Sequence, residues 1–264
     1  MNQLKYRIAS LTCLPVLLAI SFAGCIKDAD YEYDNTYALA KSSISFTWPA
    51  DSLPADGNSK LTILVSVLPD NKKDSLNLSQ LGMSMSTTNG TFAESNSASI
   101  NVVPTYKLDT VTNTKIINAT VTLQSSTRAD TAKITIKYLG TEQPKNIYFY
   151  RVKPQKIKLS ASSFSIAPDF KTSDTIIAQV SSASGLASQG TPVEFFAYDS
   201  DYQHELGFYT PKQGKTNGAA SLQTVFILGD AAINGINYTN TVHLIGQTFN
   251  GTTPVRDTIT IYSR

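Results

Sequence analysis

The 264 residues hold two histidines, His204 and His243, and two cysteines, Cys13 and Cys25. Acid–base and nucleophilic chemistry draws on such side chains, so their neighbours decide what they can do. His204 sits in a polar turn beside Glu205. His243 lies in a strand-like run, 238–249, on the parity of Thr239 and Thr241, which faces solvent. No HExxH, GxSxG or glycine-rich phosphate loop accompanies either histidine. The members of a Ser-His-Asp triad need not be neighbours in sequence, but nothing singles out one pairing among so many serines. Asp199 and Asp201 form a D-x-D, and Asp70 and Asp74 flank Asn71-Lys72-Lys73. Calcium takes about six to eight oxygens and neither cluster has the ligand spacing of an EF-hand. Lys72 and Lys73 would also repel a cation, so both clusters read as solvated turns. The expectation is a chain without catalytic residues, metal or cofactor.

One stretch is rich in rings: Phe195, Phe196, Tyr198, Tyr202, Phe208 and Tyr209 surround Asp199–Glu205. Aromatic faces stack on sugar rings, and Asp, Gln and His side chains hydrogen-bond hydroxyls. Strand parity puts Phe195 with Val193 and Ala197 in a core, and Phe196 and Tyr198 on the opposite face. The candidate ligand contacts are therefore Tyr198, Tyr202, His204 and Tyr209, weighed against ordinary core and turn roles.

The elements that must carry these residues are strands. Ile44, Phe46 and Trp48 alternate with Ser43, Ser45 and Thr47, and Leu61, Ile63, Val65 and Val67 share one face. Leu81, Met83 and Met85, then Ile117, Ala119, Val121 and Leu123, then Ala132, Ile134, Ile136 and Tyr138 repeat the pattern. A two-residue period means strands dry on one face and wet on the other. Asp56-Gly57 and Asn89-Gly90 mark turns between them. The second half follows suit with Ile176, Ala178 and Val180, with Val193, Phe195 and Ala197, and with Ala220, Leu222, Phe226 and Leu228. A last strand spans Asp257–Tyr262.

The halves align directly. Asp56, Thr62, Ile63, Val65 and Val67 match Asp169, Thr175, Ile176, Ala178 and Val180 at a constant offset of 113. A period of that size is a duplicated domain, too long for a solenoid repeat. The seam falls near Arg151-Val152-Lys153-Pro154, where proline interrupts the strand pattern. About 110 residues of short alternating strands fit a β-sandwich.

The N-terminus reads differently. Lys5 and Arg7 precede an apolar run from Ile8 to Phe22, broken by Ser10, Thr12 and Pro15 and ending in Phe22-Ala23-Gly24-Cys25. A membrane-spanning helix needs about 20 continuous apolar residues, so this is an export signal, 1–24, and not an anchor helix. The block resembles the lipobox of bacterial lipoproteins, with Phe22 where leucine is usual. The resemblance implies cleavage between Gly24 and Cys25 and a diacylglycerol on the Cys25 sulfur. Long acyl chains anchor a protein at about 0.8 kcal/mol per buried methylene. Residues 25–42 hold Asp28, Asp30, Glu32 and Asp34 at alternate positions with little aliphatic content, as in a flexible tether. An acidic stretch after the lipidated cysteine resembles surface-export signals of some Gram-negative lipoproteins. It points to the outer membrane with the chain facing outward.

With Lys5 and Arg7 removed, the 22 basic and 20 acidic residues come into balance, and no basic block stands out for nucleic acid. Cys13 leaves with the signal, so no disulfide forms. Pro54-Ala55-Asp56-Gly57 with the strand 60–68, Thr87-Thr88-Asn89-Gly90-Thr91-Phe92, Gly190-Thr191-Pro192-Val193-Glu194-Phe195 and Thr216-Asn217-Gly218-Ala219-Ala220 resemble the bacterial immunoglobulin-like domains of invasin and intimin-type adhesins. The resemblance implies two tandem immunoglobulin-like β-sandwiches, 43–151 and 152–264, all-β, serving adhesion or spacing at a bacterial surface toward a protein or glycan ligand. The alternative is a carbohydrate-binding surface lipoprotein of a polysaccharide-uptake system, with the aromatic stretch as its support. The strand order of such a sandwich sends the loop 199–205 to the end of the second domain farthest from the membrane.

Overall fold

A computed structural model describes residues 44–67, 82–109, 114–138, 141–229 and 241–264. The export segment, the Gly24–Cys25 cleavage site, the acidic tether, Leu81 and the Asp70–Asp74 cluster lie outside the described residues. Those described form strands and turns, with no helix.

The strands up to Tyr150 are β1 (Ile44–Thr47), β2 (Ser52–Pro54), β3 (Lys60–Val67), β4 (Met83–Thr87), β5 (Thr91–Phe92), β6 (Ser99–Val102), β7 (Thr105–Asp109), β8 (Thr114–Gln124), β9 (Thr131–Tyr138) and β10 (Thr141–Tyr150). One sheet runs β1-β3-β8-β5, with β7 also on β8; its partner runs β2-β10-β9-β4-β6. After 151–155 come β11 (Lys156–Ala161), β12 (Ser165–Ile166), β13 (Ser173–Ser181), β14 (Pro192–Tyr198), β15 (Phe208–Thr210), β16 (Gln213–Lys215), β17 (Ser221–Ile227), β18 (Thr241–Asn250) and β19 (Thr253–Ser263). These make the sheets β11-β13-β17-β15 and β12-β19-β18-β14-β16. No sheet mixes strands from the two sides of 151–155, and each pair of sheets encloses its own apolar core. The architecture is two tandem immunoglobulin-like sandwiches, in which the strand preceding the first long pairing crosses to the opposite sheet and lies parallel to the last strand, β2 on β10 and β12 on β19.

Burial follows the sequence parity. Ile63, Val65, Ile134, Ile136, Ile176, Ala178, Val180 and Phe195 are fully buried, and the residues alternating with them are more exposed, apart from the buried Thr135. Packed apolar side chains of this size each contribute about 1.5–3 kcal/mol. The last strand is longer than Asp257–Tyr262. It pairs with β18 without a break from Thr241↔Tyr262 to Asn250↔Thr253, turning at Gly251 (φ +65°). Pro254 and Arg256 in its first half hide the alternation. Pro144 sits in β10 above the level where β2 joins, so that stretch of β10 is a sheet edge and spends no ladder hydrogen bond on the missing N–H.

The two sandwiches meet at a turn. Asp56 is fully buried. Its Oδ1 accepts the backbone N–H groups of Asn58 (2.9 Å) and Ser59 (2.7 Å) and the Ser125 hydroxyl (3.0 Å), and its Oδ2 accepts the Ser59 hydroxyl (2.7 Å). Burial works to raise its pKa, but hydrogen bonds from Ser184, Ser59 and Asn58 prevail and lower it to about 2. The Asp56 carbonyl accepts from Leu186 N (2.9 Å), Thr127 O from Gln189 N (2.8 Å) and Ala55 O from the Ser188 hydroxyl (2.9 Å). Thr127 donates back to Gly218 O (2.6 Å) and Asn58 to Ser184 O (3.0 Å). A Cβ on Gly185 would stand 2.8 Å from the Asp56 carbonyl oxygen, so only glycine admits this approach.

The offset of 113 reproduces the local bonds of this turn at the other end of the second sandwich. Asp169 Oδ1 accepts from the N–H groups of Lys171 (2.9 Å) and Thr172 (2.6 Å), and Oδ2 from the Thr172 hydroxyl (2.9 Å). Gly57 (φ +72°) corresponds to Phe170 (φ +59°). Asp169 is exposed.

Candidate functional site

Strand registers fix which side chains meet at this far pole. β11 pairs Lys156 with Ser181, so β13 begins at the far pole and ends at the joint, while β14 runs back out to Tyr198. The loop 199–207 therefore emerges at the pole remote from the first sandwich. It is built on Asp199, a buried carboxylate. Asp199 Oδ1 accepts from Gln203 N (2.9 Å) and His204 N (3.2 Å), and Oδ2 meets His204 Nδ1 at 2.6 Å. Burial opposes ionisation, but the hydrogen bonds from His204 and Gln203 prevail and lower the pKa of Asp199. An ionised carboxylate only accepts, so Nδ1 is the donor in this contact.

Tyr202 crowns the loop. It is 51% exposed and sits at φ +61°, a left-handed conformation that costs an ordinary residue about 1–2 kcal/mol. Its ring lies on His243, centroids 4.6 Å apart and planes 3° from parallel. His243 is the register partner of Tyr198 in the β14–β18 ladder, and its Nδ1 contacts Thr260 Oγ1 on β19 at 3.1 Å. Tyr198 stands 6.4 Å from Tyr202 on one side and 6.4 Å from Phe196 on the other. Lys212 Nζ lies 5.3 Å above the Phe196 ring and 2.5 Å from Glu205, whose hydrogen bond raises the lysine pKa. The outer face of β14, β18 and β19 is thus a run of rings, Phe196, Tyr198, Tyr202 and His243, bordered by Thr241, Thr258, Thr260 and the exposed Tyr262.

Of the residues expected from the sequence, Tyr198, Tyr202 and His204 come together here. Tyr209 does not. Its ring packs inward between Phe195 (5.6 Å) and Phe226 (4.9 Å), and its hydroxyl donates to Phe196 O (2.8 Å). Burial, reinforced by Glu205, pushes its pKa well above the usual phenol range. The pairing of Tyr209 with Phe226 in the β15–β17 ladder puts Phe208 outside instead. Phe208 (58% exposed) and Phe170 (46% exposed) make a second ring pair at this pole, 6.2 Å apart, associated with the other sheet. His243 was legible as an outward-facing strand residue, but its contact with Tyr202 depends on register. Among the described residues no group of three His, Cys, Asp or Glu side chains could hold a metal ion. Nor is any helix long and apolar enough to cross a membrane.

No family model matches the chain, and no curated protein is similar to it. Solved structures of bacterial adhesins are. Invasin, described as a bacterial integrin-binding protein, is 17% identical over 84% of this chain and 39% of its own, with a TM-score of 0.49. The adhesin InvE of Yersinia pseudotuberculosis is 13% identical over 84% of this chain and 60% of its own, with a TM-score of 0.42. The D0–D1 domain of intimin is 16% identical over 83% of this chain and 99% of its own, with a TM-score of 0.30. The chain therefore spans 60% of InvE and 39% of invasin.

Proposed function

We propose that this chain is a non-catalytic lipoprotein of the outer membrane, cleaved before Cys25 and lipidated there, whose two sandwiches form an adhesion or spacer module on the outside of a Gram-negative cell. The observation that carries this reading is the far pole. The joint is tied by hydrogen bonds in both directions, while the opposite end of the second sandwich exposes Phe170, Tyr202 and Phe208. Large exposed rings clustered at one end are an economical contact surface for a partner protein or glycan, and a fixed joint holds that end away from the anchor.

Two measurements test it. Cells grown with a labelled fatty acid should label the wild type and leave Cys25→Ala unlabelled; equal label in both would exclude the anchor. Protease added to intact cells should remove the second sandwich, and full protection would place the chain facing the periplasm. The carbohydrate-binding alternative is favoured by one feature, the Tyr202–His243 stack.

A further inference from the structure

We infer that the outer face of β14, β18 and β19 at the far pole, centred on the Tyr202–His243 stack, is a binding site for a neutral glycan. The inference deepens the contact role proposed for this pole by naming the ligand class and by moving the site from the loop onto the sheet.

Three observations converge. The first is strain. A left-handed conformation favours glycine, and later in this same loop the chain does use one, Gly207 (φ +64°). At 202 the loop keeps tyrosine and leaves half of it in water, and strain held at an exposed ring points to use of the ring. The second is shape. Tyr202 and His243 lie flat on one another, 3° from parallel, with Tyr198 beside them, so the rings offer planar apolar surface to a planar apolar ligand face. The hydroxyls of Thr241, Thr258, Thr260 and Tyr262 on the adjoining strands supply donors and acceptors at the rim, which a polyhydroxylated ligand can use and an aliphatic one cannot. The third is charge. Among the described residues the ionisable side chains on and beside this face are Asp199, Asp201, Glu194 and Glu205 against Lys212, which is held by Glu205, Arg256, which donates to Gln247, and Arg264, which donates to Ser165. Carboxylates outnumber the cations among these groups, so an acidic sugar would meet net repulsion and the ligand class is neutral.

The test is native gel retardation of the mature chain in gels cast with starch, β-1,3-glucan, mannan or xylan, with a gel of anionic alginate as the control. At least one of the four should retard it. Tyr202→Gly and His243→Ala should each weaken that retardation about tenfold or more. Tyr148→Ala, an exposed aromatic of the first sandwich, should leave it within about threefold. Because glycine relieves the backbone at 202, Tyr202→Gly should melt no more than about 2 °C below the wild type. The inference is overturned by no retardation in any of the four gels, by undiminished retardation of Tyr202→Gly, by equal loss in Tyr148→Ala, or by retardation only in a gel of an anionic polysaccharide. It is also overturned if the two site variants lose binding only together with a large loss of melting temperature. The gel uses purified protein and is blind to cell-surface display. Failure in the gel with a protease-sensitive chain on cells removes the glycan site alone, and retardation with full protection on cells removes the display alone.

Discussion

Asp56→Ala is expected to split the thermal unfolding of this chain into two transitions, with the first sandwich lowered by about 3 kcal/mol and the second nearly unchanged. The substitution strands two backbone N–H groups and the hydroxyls of Ser59 and Ser125, each worth about 1 kcal/mol when buried without a partner. It also loosens the turn whose carbonyl receives Leu186 N from the other sandwich. Asp169→Ala removes the same local bonds in water, where solvent replaces them, and should cost less than about 1 kcal/mol. Differential scanning calorimetry of the pair separates burial from bonding; equal losses would refute the special position of Asp56. The same residue sets an acid limit. Its pKa of about 2 in the folded chain lies below the ordinary carboxylate value of 3.8. About 2 kcal/mol of stability is therefore present above the unfolded-state value and disappears as pH falls from there toward 2. Asp56→Asn should flatten that part of the pH profile.

Gly207→Ala should destabilise the second sandwich by about 3 kcal/mol or more, and Gly90→Ala the first by a similar amount. Both glycines have positive φ, +64° and +80°, and each introduces a short edge strand, β15 or β5. A Cβ at 207 would stand 2.6 Å from Ile227 O and 2.6 Å from the Phe226 ring; at 90 it would stand 2.5 Å from Gln124 O and 3.1 Å from the Phe149 ring. Backbone and buried rings cannot yield, so the overpacking cost adds to the dihedral cost. Gly251→Ala isolates the dihedral part, since φ is +65° but no atom lies within 4 Å, and should cost only about 1 kcal/mol. Urea midpoints of the three variants order these effects, and a Gly207→Ala chain as stable as Gly251→Ala would sink the packing argument.

Much of the fold was legible because a two-residue period states directly which side chains are dry. Ile63, Val121, Ile134, Ile176 and Phe195 were placed in cores by parity and are fully buried. The limits have physical causes. Tyr198 and His243 are 45 residues apart in the chain, and only the register of β14 against β18 makes them neighbours of Tyr202. Phe208 and Tyr209 are adjacent aromatics on a three-residue strand, too short for parity to say which faces inward. Asp56 and Asp169 open turns with the same local bonds, and the one difference beside them, Gly57 against Phe170, does not state in sequence which turn another sandwich covers. The loop at Asp199–Glu205 was singled out by its rings, but the buried carboxylate that organises it shows only in three dimensions.

The difference between Gly57 and Phe170 has a consequence for how sandwiches can be strung together. At the joint, a Cβ on Gly57 would already touch the Leu186 side chain at 3.8 Å and that of Thr127 at 3.4 Å, so a methyl group fills the space and a ring does not fit. At the far end a phenyl ring occupies the corresponding position while the carboxylate beneath it keeps its local bonds. The coupling is therefore keyed: the plug is copied, but the keyhole is filled. A sandwich brought to the far end in the geometry of the first joint would collide with that ring, and whatever meets this pole must approach along a different axis. One side chain thus bars the geometry of the first joint from being repeated at the far end, and a single exchange, Phe170→Gly, would lift that bar.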